Sequence, residues 1–180
     1  MSKKEIHRVK SEVVYRNRWM TVREDEIVRA DGSVGLYGVI EKTDFAVIVA
    51  ISENGVYLVE QYRYPVGQRF WELPQGSWEG NTIDAVDLAR AELREETGLI
   101  AGNIQHVGHL FLAYGFCTQG YNVFLATDLT QLDPQREPEE QGLVAHLFPL
   151  IEVERMIADG TIKDATTIAA FNLLRVKGLL

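Results

Sequence analysis

The sequence predicts an α+β fold or an α/β/α sandwich, in which a sheet packs between helices. Three observations support this prediction. Segments with the length and apolar spacing of strands occur along the whole chain, three segments carry the end signals of helices, and no repeat, linker or low-complexity tract divides the sequence. With 180 residues, the chain is long enough to bury a substantial core.

Antiparallel strands are predicted for the first part of the chain. Residues 1–10 are charged and are expected to be loose. Residues 11–30 alternate enough to indicate two strands, and Asn17 is available for the turn between them. Asp31 and Gly32 mark a second turn before a strand at 34–41.

A buried hairpin is predicted next. Residues 45–51 form a continuous apolar run, which is consistent with a buried strand, and residues 56–64 return as its partner. Asn54 and Gly55 lie between the two strands, and both tolerate positive φ. The sequence therefore predicts a type I′ turn at this point.

The second half of the chain combines strands, polar loops and two terminal helices. Strands are predicted at 104–113, 121–126 and 143–148, loops at 115–120 and 132–141, and helices at 150–158 and 165–177. Asp164 is the expected N-cap of the last helix, and Gly178 is expected to end it.

A further helix is predicted to run from Asn81, its expected N-cap, to Gly98, and its last turns contain Glu92, Glu95 and Glu96. Acids at a helix C-terminus typically cost about 0.3–1 kcal/mol each, and Glu92 and Glu96 repel each other at i,i+4. The three carboxylates border the apolar stripe of the helix and are expected to face a cleft, where they would suit Mg²⁺ or Mn²⁺. The composition of the helix alone leaves an ordinary solvated acidic face open as the alternative.

Charge and cysteine content limit the class of protein. A net charge of −8 argues against a broad surface for nucleic acid. The single cysteine, Cys117, excludes an intramolecular disulfide and fits a reducing compartment. No signal-like apolar segment follows Met1, and no apolar run approaches the roughly 18 residues that span a bilayer. A cytoplasmic protein without membrane or nucleic-acid partners is therefore expected.

The helix and its surroundings resemble a known family. Residues 92–99 match the second half of the Nudix box, in which glutamate, an apolar residue, two glutamates, glycine and an apolar residue occur in fixed order. The chain departs from the box in its spacer after Gly76, which is one residue longer, and in Ala91, which replaces the box arginine, while Arg90 stands one position earlier. The mid-box glutamate is also absent.

The resemblance to Nudix hydrolases extends over nearly the whole chain. Residues 11–22, 59–65, 71–76 and 162–170 look like segments of ADP-ribose and nucleoside-diphosphate-sugar pyrophosphatases. This resemblance implies a mixed sheet between helices as residues 43–180, treated as one compact unit. It also implies an N-terminal antiparallel β region at residues 1–42 that takes part in a homodimer.

The resemblance implies a metal-dependent pyrophosphohydrolase that cleaves a nucleoside-diphosphate sugar to a nucleoside monophosphate and a sugar phosphate. ADP-ribose is the first expected substrate, and GDP-mannose or a similar compound is the second. Hydrolysis of a dinucleoside polyphosphate or an RNA cap is the alternative. A more remote one is a non-catalytic nucleotide-sugar sensor, because a fold does not fix a function.

Roles for individual residues follow from the resemblance. Glu92 and Glu96 are the expected ligands of Mg²⁺ or Mn²⁺, Glu95 is a shared ligand or a supporting catalytic carboxylate, and Gln75 contributes its backbone carbonyl. Arg63 is the expected phosphate clamp, because its guanidinium forms two charge-assisted hydrogen bonds. An ion pair of Arg63 with Glu60 or Glu72 is the alternative.

A general base is expected on the loop before the last strand. The usual glutamate position falls on Gln141, whose amide cannot act as a base, so Glu140 is assigned to the role and Glu139 is next. A solvated acidic loop is the alternative.

Trp19, with Arg16 and Arg18, is a candidate platform for a nucleobase and its phosphates, since aromatic stacking of a base is worth about 1–3 kcal/mol. The slightly favoured alternative places Trp19 in the packing of the N-terminal strands or in a dimer interface.

Overall fold

The computed structural model describes residues 5–78, 84–132 and 142–180. The chain divides into two compact units, Met1–Asp44 with Phe111–Gly120, and Phe45–Leu110 with Tyr121–Leu180. The first unit thus includes a ten-residue segment from later in the chain.

An antiparallel sheet of three strands in the order β1-β2-β3 forms the first unit: β1 (Ile6–Arg16), β2 (Thr21–Arg29) and β3 (Val34–Glu41). The predicted turn at Asn17 is confirmed, and its side-chain oxygen accepts hydrogen bonds from the backbone N–H groups of Trp19 and Met20. The prediction that residues 1–10 are loose is wrong for Ile6 onward. Ile6 pairs with Arg29, because β2 continues to Arg29 and the pairing of β1 with β2 extends to the first residue of β1.

The segment from 111 to 120 lies beside the end of β3. The carbonyl of Phe116 accepts a hydrogen bond from Ile40 N–H, and Thr118 N–H donates to the Ile40 carbonyl. Tyr37 adds a hydrogen bond from its hydroxyl to the carbonyl of Gly115 at 2.6 Å. These bonds explain why a late segment groups with the N-terminal strands.

The second unit contains a sheet of seven strands. They are β4 (Phe45–Ser52), β5 (Gly55–Arg63), β6 (Gln68–Glu72), β7 (Gln75–Gly76), β8 (Leu99–Phe111), β9 (Gly120–Gln131) and β10 (Val144–Phe148). The main order is β10-β5-β4-β9-β8, with β6 paired to β5 and β7 paired to β4. Strands β4 and β9 are parallel, whereas β5 is antiparallel to β4, β6 and β10, and β7 is antiparallel to β4. The sheet is therefore mixed, as expected.

Three α-helices complete the described part of this unit: α1 (Ala85–Thr97), α2 (Leu150–Ala158) and α3 (Ala165–Val176). A short 3-10 helix, Tyr64–Val66, connects β5 to β6. Asp164 caps α3 as predicted, because its carboxylate accepts hydrogen bonds from the backbone of Thr166 and Thr167. In the part of the chain that is described, no helix combines the length and the apolar character needed to cross a bilayer.

Helix α1 begins later than expected. Its N-cap is Asp84, whose side chain accepts a hydrogen bond from Val86 N–H at 2.8 Å, so the assignment of Asn81 as N-cap is wrong. Asn81 itself lies outside the described residues. The predicted end is confirmed, since Gly98 adopts φ +75° and its N–H bonds to the carbonyl of Arg94.

The hairpin of β4 and β5 is confirmed, but its predicted turn type is wrong. Gly55 has φ +148°, whereas Asn54 does not have the positive φ that a type I′ turn requires at both central residues. A side chain at position 55 would overlap the carbonyl of Phe148, so the close approach of the backbone explains the glycine.

Alternate side chains of β4 face two separate apolar clusters. Val47 and Val49 pack in the cluster that includes residues of α2 and α3, such as Val153 and Phe171. The residues between and beside them pack with α1 in the other cluster, which includes Ala46, Ile48, Ala50, Leu88 and Leu93. Helices therefore cover both faces of the sheet, and the predicted α/β/α sandwich is confirmed.

Candidate active site

The carboxylates at the end of α1 are the centre of the candidate site. Glu92 and Glu96 are 5% and 2% exposed, respectively, and they lie one helical turn apart. Glu95 is half-buried. A solvated acidic face therefore does not describe Glu92 and Glu96. Burying two like charges at i,i+4 is unfavourable and indicates a site that gathers positive charge.

The short strand β7 lies directly against both carboxylates. The backbone N–H of Gln75 donates a hydrogen bond to Glu96 Oε2 at 3.0 Å. Gly76 leaves no room for a side chain, because a Cβ at this position would overlap the carboxyl group of Glu92. A hydrogen bond of 2.9 Å from Ile48 N–H to the Pro74 carbonyl ties the same segment to β4.

This arrangement fits a small divalent cation. Carboxylate and backbone oxygens are the ligands that Mg²⁺ and Mn²⁺ prefer, and such ions keep positions for waters and substrate phosphates. The close approach of the Glu92 carboxylate to the backbone at Gly76 is consistent with this fit, because it brings carboxylate and backbone oxygens together. Within residues 5–78, 84–132 and 142–180, no group of three or more histidine, cysteine, aspartate or glutamate side chains is placed to hold a metal ion. The trio of Glu92, Glu95 and Glu96 does not meet that condition.

Replacing Gly76 by alanine is expected to weaken metal binding and turnover, by about 10²-fold in kcat, because the new methyl group must displace the Glu92 carboxylate. Titration with Mn²⁺ and steady-state kinetics measure the two effects. Gly38→Ala is the matched control, since an added Cβ there meets nothing within 4 Å. Unchanged metal affinity in Gly76→Ala would show that the Glu92 carboxylate does not bind the ion.

Arg63, the expected phosphate clamp, forms an ion pair with Glu72. Its Nε donates to Glu72 Oε2 at 3.1 Å, and its Nη2 contacts Glu72 Oε1. Gln61 Nε2 donates to the same carboxylate at 2.8 Å. Of the two ion pairs expected as alternatives, the one with Glu72 is present, whereas Glu60 pairs with Arg69. The side chain of Arg63 remains 41% exposed, whereas that of Glu72 is only 3% exposed.

Burial raises the pKa of Glu72 above its ordinary value, while the charge and hydrogen bonds of Arg63 act against that rise. The nearby carboxylate of Asp164 raises the pKa of Glu72 further. Burial, followed by the influence of Asp164, also raises the pKa of Tyr121. Glu72, Asp164 and Tyr121 thus share one electrostatic environment. The sequence reasoning gave Asp164 the role of a helix cap alone.

The N-terminal candidates lie in the first unit. Arg16 donates a hydrogen bond from Nε to Thr21 Oγ1 at 3.1 Å. The guanidinium of Arg18 stacks 4.2 Å from the centre of the Trp19 ring. Trp19 is 54% exposed, so its side chain is only partly covered by the protein. Its assignment to a dimer interface or a base platform stays a prediction.

The predicted base on the loop before β10 lies outside the described residues. Glu139 and Glu140 both belong to the interval 133–141 that the structure does not describe. Their assignment therefore stays a prediction.

Together, the mixed sheet, the helix with buried glutamates and the glycine of β7 packed against them define the class of protein. Residues 42–171 match the NUDIX domain, and residues 6–40 match the nucleoside diphosphate sugar hydrolase N-terminal domain. The chain belongs to the Nudix family of hydrolases.

Individual relatives agree with this assignment. The chain is 31% identical over 171 residues to an ADP-ribose pyrophosphatase of Mycobacterium tuberculosis, covering 94% of this chain and 83% of the relative. It is 25% identical to a GDP-mannose pyrophosphatase of Klebsiella pneumoniae, with 97% and 94% coverage. The crystal structure of an ADP compounds hydrolase superimposes with a TM-score of 0.86 at 21% identity over 100% of both chains, which shows the shared fold.

Proposed function

We propose that this hydrolase cleaves nucleoside-diphosphate sugars with the help of Mg²⁺ or Mn²⁺, and that ADP-ribose is its preferred substrate. The products are a nucleoside monophosphate and a sugar phosphate. The observation that carries the chemistry is the pair of buried glutamates, Glu92 and Glu96, beneath the backbone of Gln75 and Gly76. The match of residues 6–40 to an N-terminal domain of nucleoside diphosphate sugar hydrolases, together with the relatives named above, supports the substrate class.

The chemistry needs positive charge beside the diphosphate. A bound divalent ion stabilises charge on the phosphate oxygens and lowers the pKa of an attacking water. Glu92 and Glu96 would hold the ion, with the carbonyl of Gln75 as a further ligand and Glu95 in support. Gln75 N–H fixes the orientation of the Glu96 carboxylate through its 3.0 Å hydrogen bond. Arg63 binds Glu72 through Nε and Nη2, and its side chain is 41% exposed, which supports a further contact of its guanidinium with a phosphate.

Glu140 is proposed as the general base. Glu140→Gln is expected to lower kcat by about 10²–10⁴-fold and to change KM much less, because the amide cannot accept the proton of water. Steady-state kinetics with ADP-ribose measure both parameters. Glu139→Gln is the matched control, and a larger fall of kcat in that variant would move the base by one residue.

A homodimer formed through the N-terminal β region is also proposed, with residues 1–42 as the dimerising part and 43–180 as the hydrolase part. The first unit exposes many large apolar side chains, which a second copy would cover: Val9, Val13, Val14, Tyr15, Trp19, Val34, Leu36, Phe111, Tyr114 and Phe116. In such a dimer, Trp19 with Arg16 and Arg18 could contact the nucleotide. Light scattering tests this proposal, and a monomer at micromolar concentration would contradict it.

A cytoplasmic location is also proposed, because the single cysteine, Cys117, would remain a thiol there.

A substrate panel tests the function directly. ADP-ribose, GDP-mannose, UDP-glucose, diadenosine tetraphosphate and capped RNA are each incubated with Mg²⁺ or Mn²⁺, and the products are identified. Preferential release of AMP and ribose phosphate from ADP-ribose is expected. Faster cleavage of the tetraphosphate or the cap would establish the alternative hydrolase, and binding without turnover would indicate a sensor. Reaction in ¹⁸O-labelled water identifies the phosphorus that is attacked.

A further inference from the structure

The N-terminus of α3 is bonded to the segment that leads into β7. Thr167 Oγ1 accepts a hydrogen bond from Leu73 N–H at 2.9 Å, and both residues are fully buried. Asp164 Oδ2 accepts a hydrogen bond from Gln75 Nε2 at 3.3 Å. The Thr167 hydroxyl donates to the same Oδ2 atom at 2.7 Å. Two side chains at the N-terminus of α3, those of Thr167 and the N-cap Asp164, thus bind the backbone of Leu73 and the side chain of Gln75, respectively.

Capping alone does not account for the bonds of Asp164. The cap consists of the bonds from Thr166 N–H to Oδ1 and from Thr167 N–H to Oδ2. Oδ2 also accepts the Thr167 hydroxyl and the Gln75 amide, neither of which satisfies the free N–H groups of a helix start. Asp164 is therefore a junction between α3 and β7.

The junction continues to the candidate metal ligands. Gln75, whose side chain is bonded to Asp164, donates its backbone N–H to Glu96 Oε2 at 3.0 Å. A continuous path of hydrogen bonds therefore runs from Thr167 through Asp164 and Gln75 to the carboxylate of Glu96. Groups that orient a metal ligand from outside its coordination sphere typically change metal affinity by about 10–100-fold when they are removed.

We propose that Asp164 and Thr167 are positioning residues for the metal site, which act by fixing Gln75 above Glu92 and Glu96. The inference rests on the proposed metal-dependent function of that site. In this role both residues act through the segment that carries Gln75 and not as ligands of the ion. The pairing of β7 with β4 also holds the backbone of Gln75, which lies opposite Val47. The hydrogen bonds from Gln75 to Asp164 and from Leu73 to Thr167 restrict how far this segment can move.

Thr167→Val tests the proposal, because it keeps the volume of the side chain and removes the hydroxyl. Mn²⁺ binding, followed by electron paramagnetic resonance without substrate, is expected to weaken by about tenfold. Thr167→Ser, which keeps the hydroxyl, is expected to bind Mn²⁺ within about twofold of the parent. Thr166→Val is the matched control, since Thr166 is buried on the same helix but its hydroxyl is not part of the path.

A second variant covers the case in which Thr167→Val fails to fold. Asp164→Ser keeps a good N-cap residue, but its side chain is too short to bond Gln75 as well. Weaker Mn²⁺ binding in this variant, with a melting temperature near that of Thr166→Val, supports the proposal. Parent-like Mn²⁺ affinity in both Thr167→Val and Asp164→Ser would overturn it.

The metal titration separates this proposal from the proposed function. If the parent protein binds Mn²⁺ but hydrolyses none of the substrates in the panel, the proposed function fails and the titration still decides the role of Asp164 and Thr167. If hydrolysis is found, kcat is expected to fall in Thr167→Val and to be restored in Thr167→Ser, with a smaller change in KM.

Discussion

Glu96→Gln is expected to abolish metal-dependent hydrolysis, with a fall in kcat on the order of 10³-fold, while the fold stays intact. The amide keeps the volume of the side chain and an oxygen that can accept the hydrogen bond of Gln75 N–H. It removes the charge that a divalent ion requires. Because Glu96 is almost fully buried and lies one turn from Glu92, the loss of one negative charge also relieves a repulsion in the metal-free protein.

Thermal unfolding with and without metal provides a second measurement. In EDTA, Glu96→Gln is expected to unfold at or above the temperature of the parent. Addition of Mg²⁺ is expected to raise the melting temperature of the parent and to leave that of the variant unchanged, since only a bound ion stabilises by mass action. Glu154→Gln, an exposed glutamate of α2, is the control and is expected to behave as the parent does. Parent-like kcat in Glu96→Gln would remove this residue from the metal site.

Arg63→Ala is expected to lower the free energy of unfolding by about 2–3 kcal/mol near neutral pH. Removal of one partner of a buried ion pair typically costs about 3–5 kcal/mol, because the other charge stays buried without compensation. The lower figure applies because the Arg63 side chain is 41% exposed, so that solvent screens part of its charge. From the sequence alone, a phosphate clamp with little influence on stability was the favoured role.

The cost of Arg63→Ala is expected to grow as the pH rises. Burial raises the pKa of Glu72 in the folded state, so the folded protein keeps a proton over a pH range in which the unfolded chain has lost it. Stability contributed by Glu72 is therefore fully present below the ordinary glutamate pKa and is lost as the pH rises through the folded pKa. Arg63 lowers the pKa of Glu72, so removal of Arg63 raises this pKa further. The pH range over which stability is lost then extends to higher pH.

Urea unfolding at about pH 5 and about pH 8 measures both the size and the sign of this effect. The double variant Arg63→Ala with Glu72→Gln is expected to recover much of the lost stability at the higher pH, since no buried charge remains. Arg175→Ala, which breaks the exposed pair with Glu154, is the control and is expected to have little effect. A loss of substrate affinity in Arg63→Ala without a loss of stability would support the clamp role alone.

Local patterns in the sequence were sufficient to predict the sandwich and most of its elements. The run that became β4, the end of α1 at Gly98 and the cap of α3 at Asp164 depend on short-range rules, and the structure agrees with them. Ile6 was missed because its strand is stabilised by pairing with Arg29, a contact between distant residues. The start of α1 was misplaced because Asn81 and Asp84 are equally good capping residues by type.

The candidate site was foreseen only in part, for similar reasons. The positions of Glu92 and Glu96 follow from helical periodicity and the resemblance of residues 92–99 to the Nudix box. The choice between a phosphate and Glu72 as the partner of Arg63 depends on how β5 pairs with β6. The register places Glu72 opposite Val59 and Arg63 opposite Gln68, and the side chains of Gln61 and Arg63 both reach the Glu72 carboxylate from β5. No spacing rule connects Thr167 with Leu73, because 94 residues separate them.

The two-sided burial of β4 restricts how this chain can change over time. One face of the strand carries valines fitted to α2 and α3, and the other carries alanines and an isoleucine fitted to α1. Insertion or deletion of one residue in the strand would turn every following side chain to the opposite face. Small side chains would then leave voids beneath α2 and α3, while bulkier ones would push against the helix that carries Glu92 and Glu96. Divergence in this protein can alter surface segments, but the length of its central strand is fixed.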